Sequence, residues 1–270
     1  MKKQKILVIV KAYPEKSKKH GSSICTAGLT ENSEWIRIYP IRLNIFQNKR
    51  GILKKWNWIE AKIEESNEKL NRKESYKVDE RSIRLINSDL TKTSRKNTWN
   101  ERNKILFPLL KKSREELEVL KQTENISIGL IKPKSFNFYI RKPINEIDVI
   151  QSKLSQLTLE GSKIKIPDEI GNFFAYKFEC DDPNCKGHDT VCEDWEIREA
   201  FRSWRKKYVD PEILKAKLIE RFQTFMESRD LYFVMGTTNP YNKWVIIGLY
   251  YPPKNIPKKR KPSLDQFLKS

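Results

Sequence analysis

The chain has 270 residues, with 54 Lys and Arg against 35 Asp and Glu, a net charge of +19. That length holds one large domain or two small ones with a real core, and that charge is the footprint of a polyanion binder, so DNA or RNA is the expected partner. Four cysteines are too few for a disulfide scaffold, no apolar run nears the ~20 residues of a membrane-spanning helix, and the opening Met1-Lys2-Lys3-Gln4-Lys5 leads only into the short run Ile6–Val10, so a cytoplasmic protein with reduced thiols and no membrane partner is expected.

Ile6 to Val10 is all-apolar and β-branched and predicts a buried strand. A Lys/Ser-rich loop over 14–23 follows. Residues 24–29 and 34–39 flank Thr30-Glu31-Asn32-Ser33 and predict a β-hairpin, with Trp35, Arg37 and Tyr39 on one face and Ile36 and Ile38 on the other. Residues 56–63 and 81–86 predict further strands. From Trp99 to about Gln122 the spacing of Ile105, Leu106, Leu109, Leu110, Leu117 and Leu120 is helical, and Pro108 divides it into two helices, the second capped by Ser113 with Glu116 three residues on. Residues 126–131 and 136–140 return to strands, and 141–170 are polar and broken by prolines. Residues 173–178 predict a strand and 193–208 a helix. Asp210-Pro211-Glu212 opens the next helix with an N-cap, a proline and an acid, and Ile213, Leu214, Leu218, Phe222 and Phe225 form its apolar face. Strands at 231–236 and 243–250 close the folded part, before a Lys/Pro-rich tail expected to be flexible.

The fold class expected from this order is α+β and β-rich: OB-like, small β-barrel units with two helical inserts and a Cys/His turn. The expected organisation is a β-rich unit over 1–140, a boundary over 141–170, a second unit over 171–251 and a basic tail over 252–270.

Residues 180–192 gather three of the four cysteines and one of two histidines: Cys180, Cys185, His188 and Cys192. Thiolate and imidazole are the ligands zinc prefers, and four of them close a tetrahedral site. Zn2+ on these four residues is the expectation. A variant leaves Cys192 as an apolar turn residue, with the metal absent or its set completed by an acid, and a chance clustering of buried thiols is the remaining reading. A catalytic alternative makes the protein a metal-dependent, nuclease-like enzyme, with Asp194 or Glu196 as the polar catalytic partner. The helix behind the turn places Arg198, Arg202 and Arg205 at i, i+4 and i+7, with Lys206 and Lys207 beside them, a spacing that can track phosphates.

The hairpin carries Cys25-Thr26-Ala27-Gly28, then Trp35-Ile36-Arg37, then Tyr39-Pro40. A Cys-x-Ala-Gly turn followed by Trp-Ile-Arg and a proline resembles the opening of the dual OB-type domains of prokaryotic conflict systems. In those domains the proline follows the arginine directly; here Ile38-Tyr39 intervenes, and Thr26 stands where they have valine. The resemblance implies a small β-barrel that binds nucleic acid in a defence or DNA-transaction setting. Trp35, Arg37 and Tyr39 on one face read as a stacking and phosphate platform. At the C-terminus, Lys261-Pro262-Ser263-Leu264-Asp265-Gln266-Phe267-Leu268 resembles the box by which replication and repair proteins dock on a sliding clamp. Leu264 and Phe267 match it, Leu268 replaces its second aromatic and Lys261 its glutamine. No phosphate-binding glycine loop and no nucleophile elbow occurs in the sequence. Glu60-Ala61-Lys62 has the acid-x-lysine spacing of carboxylate nucleases but lacks the upstream Asp such a site uses.

Overall fold

The computed structural model describes residues 1–12, 15–17, 21–42, 45–46, 49, 51–66, 72–94, 97–146, 149–150, 156–157, 163–164, 169–170, 173–238 and 241–254. The fold is α+β and strand-rich. Its first half contributes β1 (Lys2–Lys11), β2 (Glu15–Ser17), β3 (Gly21–Thr30), β4 (Trp35–Arg42), β5 (Trp58–Glu65) and β6 (Ser75–Asn87). The sheet runs β1-β5-β6-β4-β3-β2 and closes because β1 also pairs with β3. Omitting the short β2, five strands form a ring in which only β4 and β6 pair in parallel. This is the Greek-key barrel of an OB-type unit. Ile6, Val8, Ile36, Ile38, Ile59 and Ile63 fill its interior, as the alternation along each strand requires. β3 and β1 approach so closely at Gly28 that a Cβ there would lie 2.1 Å from the Leu7 carbonyl oxygen, which explains the glycine of the Cys-x-Ala-Gly turn.

A helical insert follows: α1 (Thr98–Leu106), a turn at Phe107–Leu109, β7 (Leu110–Lys111) and α2 (Arg114–Glu124). The break falls at Pro108, as expected. The Ser113 hydroxyl accepts the Glu116 N–H at 3.1 Å, and the Glu116 carboxylate accepts the Lys112 N–H at 2.7 Å.

The second half contributes β8 (Ile128–Ile131), β9 (Pro133–Ile140), the two-residue strands β10 (Val149–Ile150), β11 (Gln156–Leu157), β12 (Lys163–Ile164) and β13 (Glu169–Ile170), then β14 (Phe174–Cys180), β15 (His188–Val191), β16 (Tyr232–Thr237) and β17 (Trp244–Tyr250). Between β15 and β16 stand α3 (Trp195–Trp204) and α4 (Pro211–Ile219), the latter continued by a π-helical turn Glu220–Thr224 and a last α-turn Phe225–Glu227. β8 and β9 are one strand path bent at Lys132: β8 pairs with β16, and β9 with β14. β14 pairs with β15, β16 with β17, and a parallel bridge from Cys192 to Ile246 joins the chain after β15 to β17. The order is that of the first ring, with the parallel pair in the same place, so a second OB-type barrel is formed. Strands β8 and β9, which the sequence reading puts in the first unit, hydrogen-bond to strands of the second.

The two barrels share a core. Leu7, Ile9, Ala27 and Leu29, on the outside of β1 and β3, pack with Ile128, Leu130, Val234, Val245 and Ile247 from the outside of β8, β16 and β17. β1 is therefore buried on both faces, the reason its run is apolar without alternation. Among the described residues no helix is long and apolar enough to cross a membrane.

Candidate functional site

Four side chains converge where α2 meets the β14–β15 hairpin: Glu115, Cys180, Cys185 and His188, whose ligand atoms all lie within 4.8 Å of one another. The hairpin turn brings three of them together. Asp182 organises it, its carboxylate accepting the Asn184 N–H at 3.0 Å and its carbonyl the Cys185 N–H at 3.0 Å. Gly187 then takes φ +81°, a conformation that glycine adopts without strain. His188, the first residue of β15, thus faces Cys185, with Nε2 3.3 Å from Sγ.

The fourth member comes from the first turn of α2. Ser113, the N-cap, donates to Asp182 Oδ2 at 2.8 Å and so ties the helix start to the turn. The Arg114 N–H points at Cys180 Sγ, 3.4 Å away, and Glu115 Oε1 lies 3.1 Å from His188 Nε2. Glu115 Oε2 is buried without a hydrogen-bond partner, an arrangement that a bound cation would relieve. Burial pushes the Cys180 thiol up to about 12, and burial also lowers the pKa of His188, keeping its imidazole neutral and able to ligate. The Arg114 guanidinium donates to His188 Nδ1 at 3.0 Å, and the Phe178 ring packs 4.9 Å from that of His188. The group is able to hold a metal ion.

Cys192, expected as the fourth ligand, is not in this group. It forms the seam of the second barrel, fully buried, with its N–H donated to the Phe174 carbonyl at 2.8 Å and its backbone bridged to Ile246. Burial drives its thiol pKa upward. A six-residue stretch of extended chain, ~20 Å long, carries the backbone from His188 away to Asp194.

Asp194 and Glu196 therefore do not serve the metal group. Asp194 caps α3, accepting the Glu196 N–H at 2.7 Å, and also accepts the Leu249 N–H at 3.1 Å. Lys55 of the first barrel reaches Asp194 at 2.8 Å and Glu196 at 3.2 Å, and Tyr251 donates to Glu196 at 3.2 Å. Burial raises the pKa of Asp194 even against Lys55, whereas Lys55 draws Glu196 down against its own burial. This is an ion-pair joint between barrels.

The expected nucleic-acid residues are dispersed. Arg37 is 6% exposed and donates to the Ser127 carbonyl at 3.2 Å, just ahead of β8. Trp35 is half-buried against the core between the barrels, and the Tyr39 hydroxyl accepts from Ser23 at 3.1 Å. The hairpin face expected to stack bases is thus turned towards the second barrel. On α3, Arg198 is buried near enough to Cys192 for its charge to act on that thiol, and Arg202 pairs with Glu199. Arg205 is half-buried at the helix C-cap, while Lys206 and Lys207 are exposed. The expected arginine stripe is no solvated row, because α3 packs into the end of the second barrel through Ile197 and Phe201. Leu264, Phe267 and Leu268 of the clamp-like box lie outside the described residues.

One sheet face of the second barrel stays open. Asn137 on β9, Lys177 on β14 and Asp189 on β15 stand side by side in register, with Tyr139 two residues further along the same face of β9. Lys177 Nζ lies 5.5 Å from the centre of the Tyr139 ring, the Tyr139 hydroxyl donates to Asp189 at 2.6 Å, and Arg141 pairs with Asp189 at 2.8 Å. A groove of about 500 Å³ crosses this face, lined by Ser135, Phe136, Asn137, Lys177 and Glu179, with Gly187 and His188 at its rim. The Glu115–Cys180–Cys185–His188 group therefore lies at the edge of a sheet face that combines a groove, an aromatic ring and cations. Sequence reading missed Glu115, which no local spacing connects to the thiols, and this face, whose alternation along β9 and β14 was visible but whose exposure was not.

Two family models cover almost all of the chain: Domain of unknown function (DUF8758) matches residues 2–108, and Domain of unknown function (DUF8757) matches residues 110–268. The second spans more than half of the sequence. The chain belongs to the DUF8757 family. No curated protein sequence matches it. The two models meet at the Phe107–Leu109 turn. The DUF8758 region thus holds the first barrel and α1, and the DUF8757 region holds α2, the four residues able to hold a metal ion, the second barrel and the tail with its clamp-like box.

Proposed function

We propose that this chain is a nucleic-acid-binding protein built on two OB-type barrels, with a Zn2+ ion on Glu115, Cys180, Cys185 and His188 as its structural staple. The observation that carries the reading is the packing of the barrels. The outer face of β1, β3 and β4 is covered by the second barrel, while the equivalent face of the second barrel, β9, β14 and β15, is left open with Tyr139, Arg141 and Lys177 on it. Faces of this kind hold oligonucleotides in OB-type units, by stacking on aromatic rings and by cationic contacts to phosphate. The net charge of +19 supplies the long-range attraction.

Soft thiolate and imidazole donors favour zinc, and a carboxylate completes its tetrahedron. With all four positions filled by protein, the ion holds the hairpin turn to α2, which supports a structural role over a catalytic one. The dual OB-type resemblance supports a defence or DNA-transaction setting, and the tail box supports a sliding clamp as a second partner.

The test is fluorescence anisotropy of a labelled 20-nucleotide single strand at 50 and 200 mM salt. Binding that weakens by about tenfold or more over that range, and that drops further in a Lys177→Glu, Arg141→Glu double variant, is expected from counterion release. Absence of binding at 50 mM salt overturns the reading.

A further inference from the structure

A second place on the molecule carries an exposed aromatic side chain on a loop whose backbone is held by cations from the first half and from α2. Between β16 and β17, Tyr241 is 75% exposed, the most exposed aromatic side chain among the described residues with large apolar surface. Lys243 beside it is exposed. Arg72, from the connection between β5 and β6 of the first barrel, donates to the Thr238 carbonyl at 2.6 Å. Lys121, near the end of α2, donates to the Asn242 carbonyl at 3.4 Å, and Lys73 gives its N–H to the Asn125 carbonyl just past α2 at 3.4 Å. Three elements thus converge on one corner, where the Arg72 and Lys121 side chains reach the loop carbonyls; Lys121 also pairs with Glu118 at 2.6 Å, and Glu118 accepts from Trp244 Nε1 at 2.9 Å.

A tyrosine ring left in water has no part in the core, and Arg72 and Lys121 hold the Thr238 and Asn242 carbonyls of its loop. A planar π-face beside positive charge fits a base and its phosphate. We infer that this corner is a second nucleic-acid subsite, in which Tyr241 stacks on an unpaired base and Lys243 and Lys73 take the flanking phosphates. The ligand class is single-stranded, because a paired base offers no free face to the ring. The inference rests on the nucleic-acid reading above and adds to it a site and a strand preference.

The experiment uses the full chain with labelled oligo-dT and oligo-rU of 20 nucleotides and a duplex of equal length, comparing wild type with Tyr241→Ala, Tyr241→Phe and Lys243→Ala. Loss of about tenfold in single-strand affinity for Tyr241→Ala, with Tyr241→Phe close to wild type and the duplex little changed, is the expected result. Circular dichroism matching wild type confirms that the exposed substitution has not altered the fold. Single-strand affinity of Tyr241→Ala within twofold of wild type, while wild type binds, overturns the subsite and leaves the wider reading in place. An equal loss for strand and duplex overturns the strand preference, and failure of wild type to bind any of the three removes both readings.

Discussion

Separate exchange of Cys185 and Cys192 for serine distinguishes a ligand from a seam residue. Cys185→Ser removes a donor from the four-residue group, so bound zinc should fall from about one ion per chain to near zero by elemental analysis. Cys192→Ser should keep the zinc and instead destabilise the chain by ~1–3 kcal/mol in urea unfolding, because it places a hydroxyl in a fully buried seam. Zinc lost equally from both variants would contradict the assignment. The same turn carries a pH signature. The Asn184 N–H holds Asp182 below the usual aspartate pKa, and the Tyr139 hydroxyl does the same for Asp189. A depressed folded-state pKa gives stability that is present above the unfolded value of 3.8 and lost as pH falls through the folded value. Melting temperature should therefore drop between about pH 4 and pH 2, less so in an Asp182→Asn, Asp189→Asn variant; an unchanged slope would sink this account. At this scale two of the three expected thiols and the imidazole were legible from their spacing, and Cys192 was misplaced. Glu115 was not, since a carboxylate on the first turn of a distant helix looks like an ordinary partner of the helix dipole.

Helix α2 owes its position to its first turn. Ser113 both caps the helix and donates to Asp182, so Ser113→Ala should cost ~1 kcal/mol from the cap alone and should raise hydrogen exchange in the 181–187 turn as well as in α2. Exchange rising in the helix only would mean that Ser113 does not link the two. Capping signals, the break at Pro108 and the hairpin pairs were readable because each is decided within a few residues: Asp210 caps α4 through the Glu212 and Ile213 N–H groups, and Trp35 pairs with Leu29 across the expected turn. The arginine row on α3 shows the limit of such reading. Periodicity places Arg198, Arg202 and Arg205 on one side of a helix, but which side meets protein depends on the barrel beneath, and that buried Arg198.

The core between the barrels makes the whole molecule one packed body. Leu7, Ile9, Val234 and Ile247 belong to it and to no single barrel interior, so unfolding should be a single cooperative transition by fluorescence and by circular dichroism. Asp194→Ala leaves Lys55 buried without its nearest carboxylate and removes the α3 cap, which should cost ~3–5 kcal/mol; a loss under 1 kcal/mol would contradict the joint. The strand-rich, barrel-like class was legible from short strands and hairpins. The packing that turns Trp35 and Arg37 inward was not, because burial of an outer sheet face is set by residues as distant in sequence as Ser127, 90 positions from Arg37. Hydrogen exchange with and without a saturating single-stranded oligonucleotide tests the central claim most directly. Protection should appear in 135–141 and 175–189, the open face of the second barrel. Protection confined to the groove of Lys3, Glu60, Lys62, Asp79, Arg81 and Arg84 on the first barrel, or none anywhere, would contradict it.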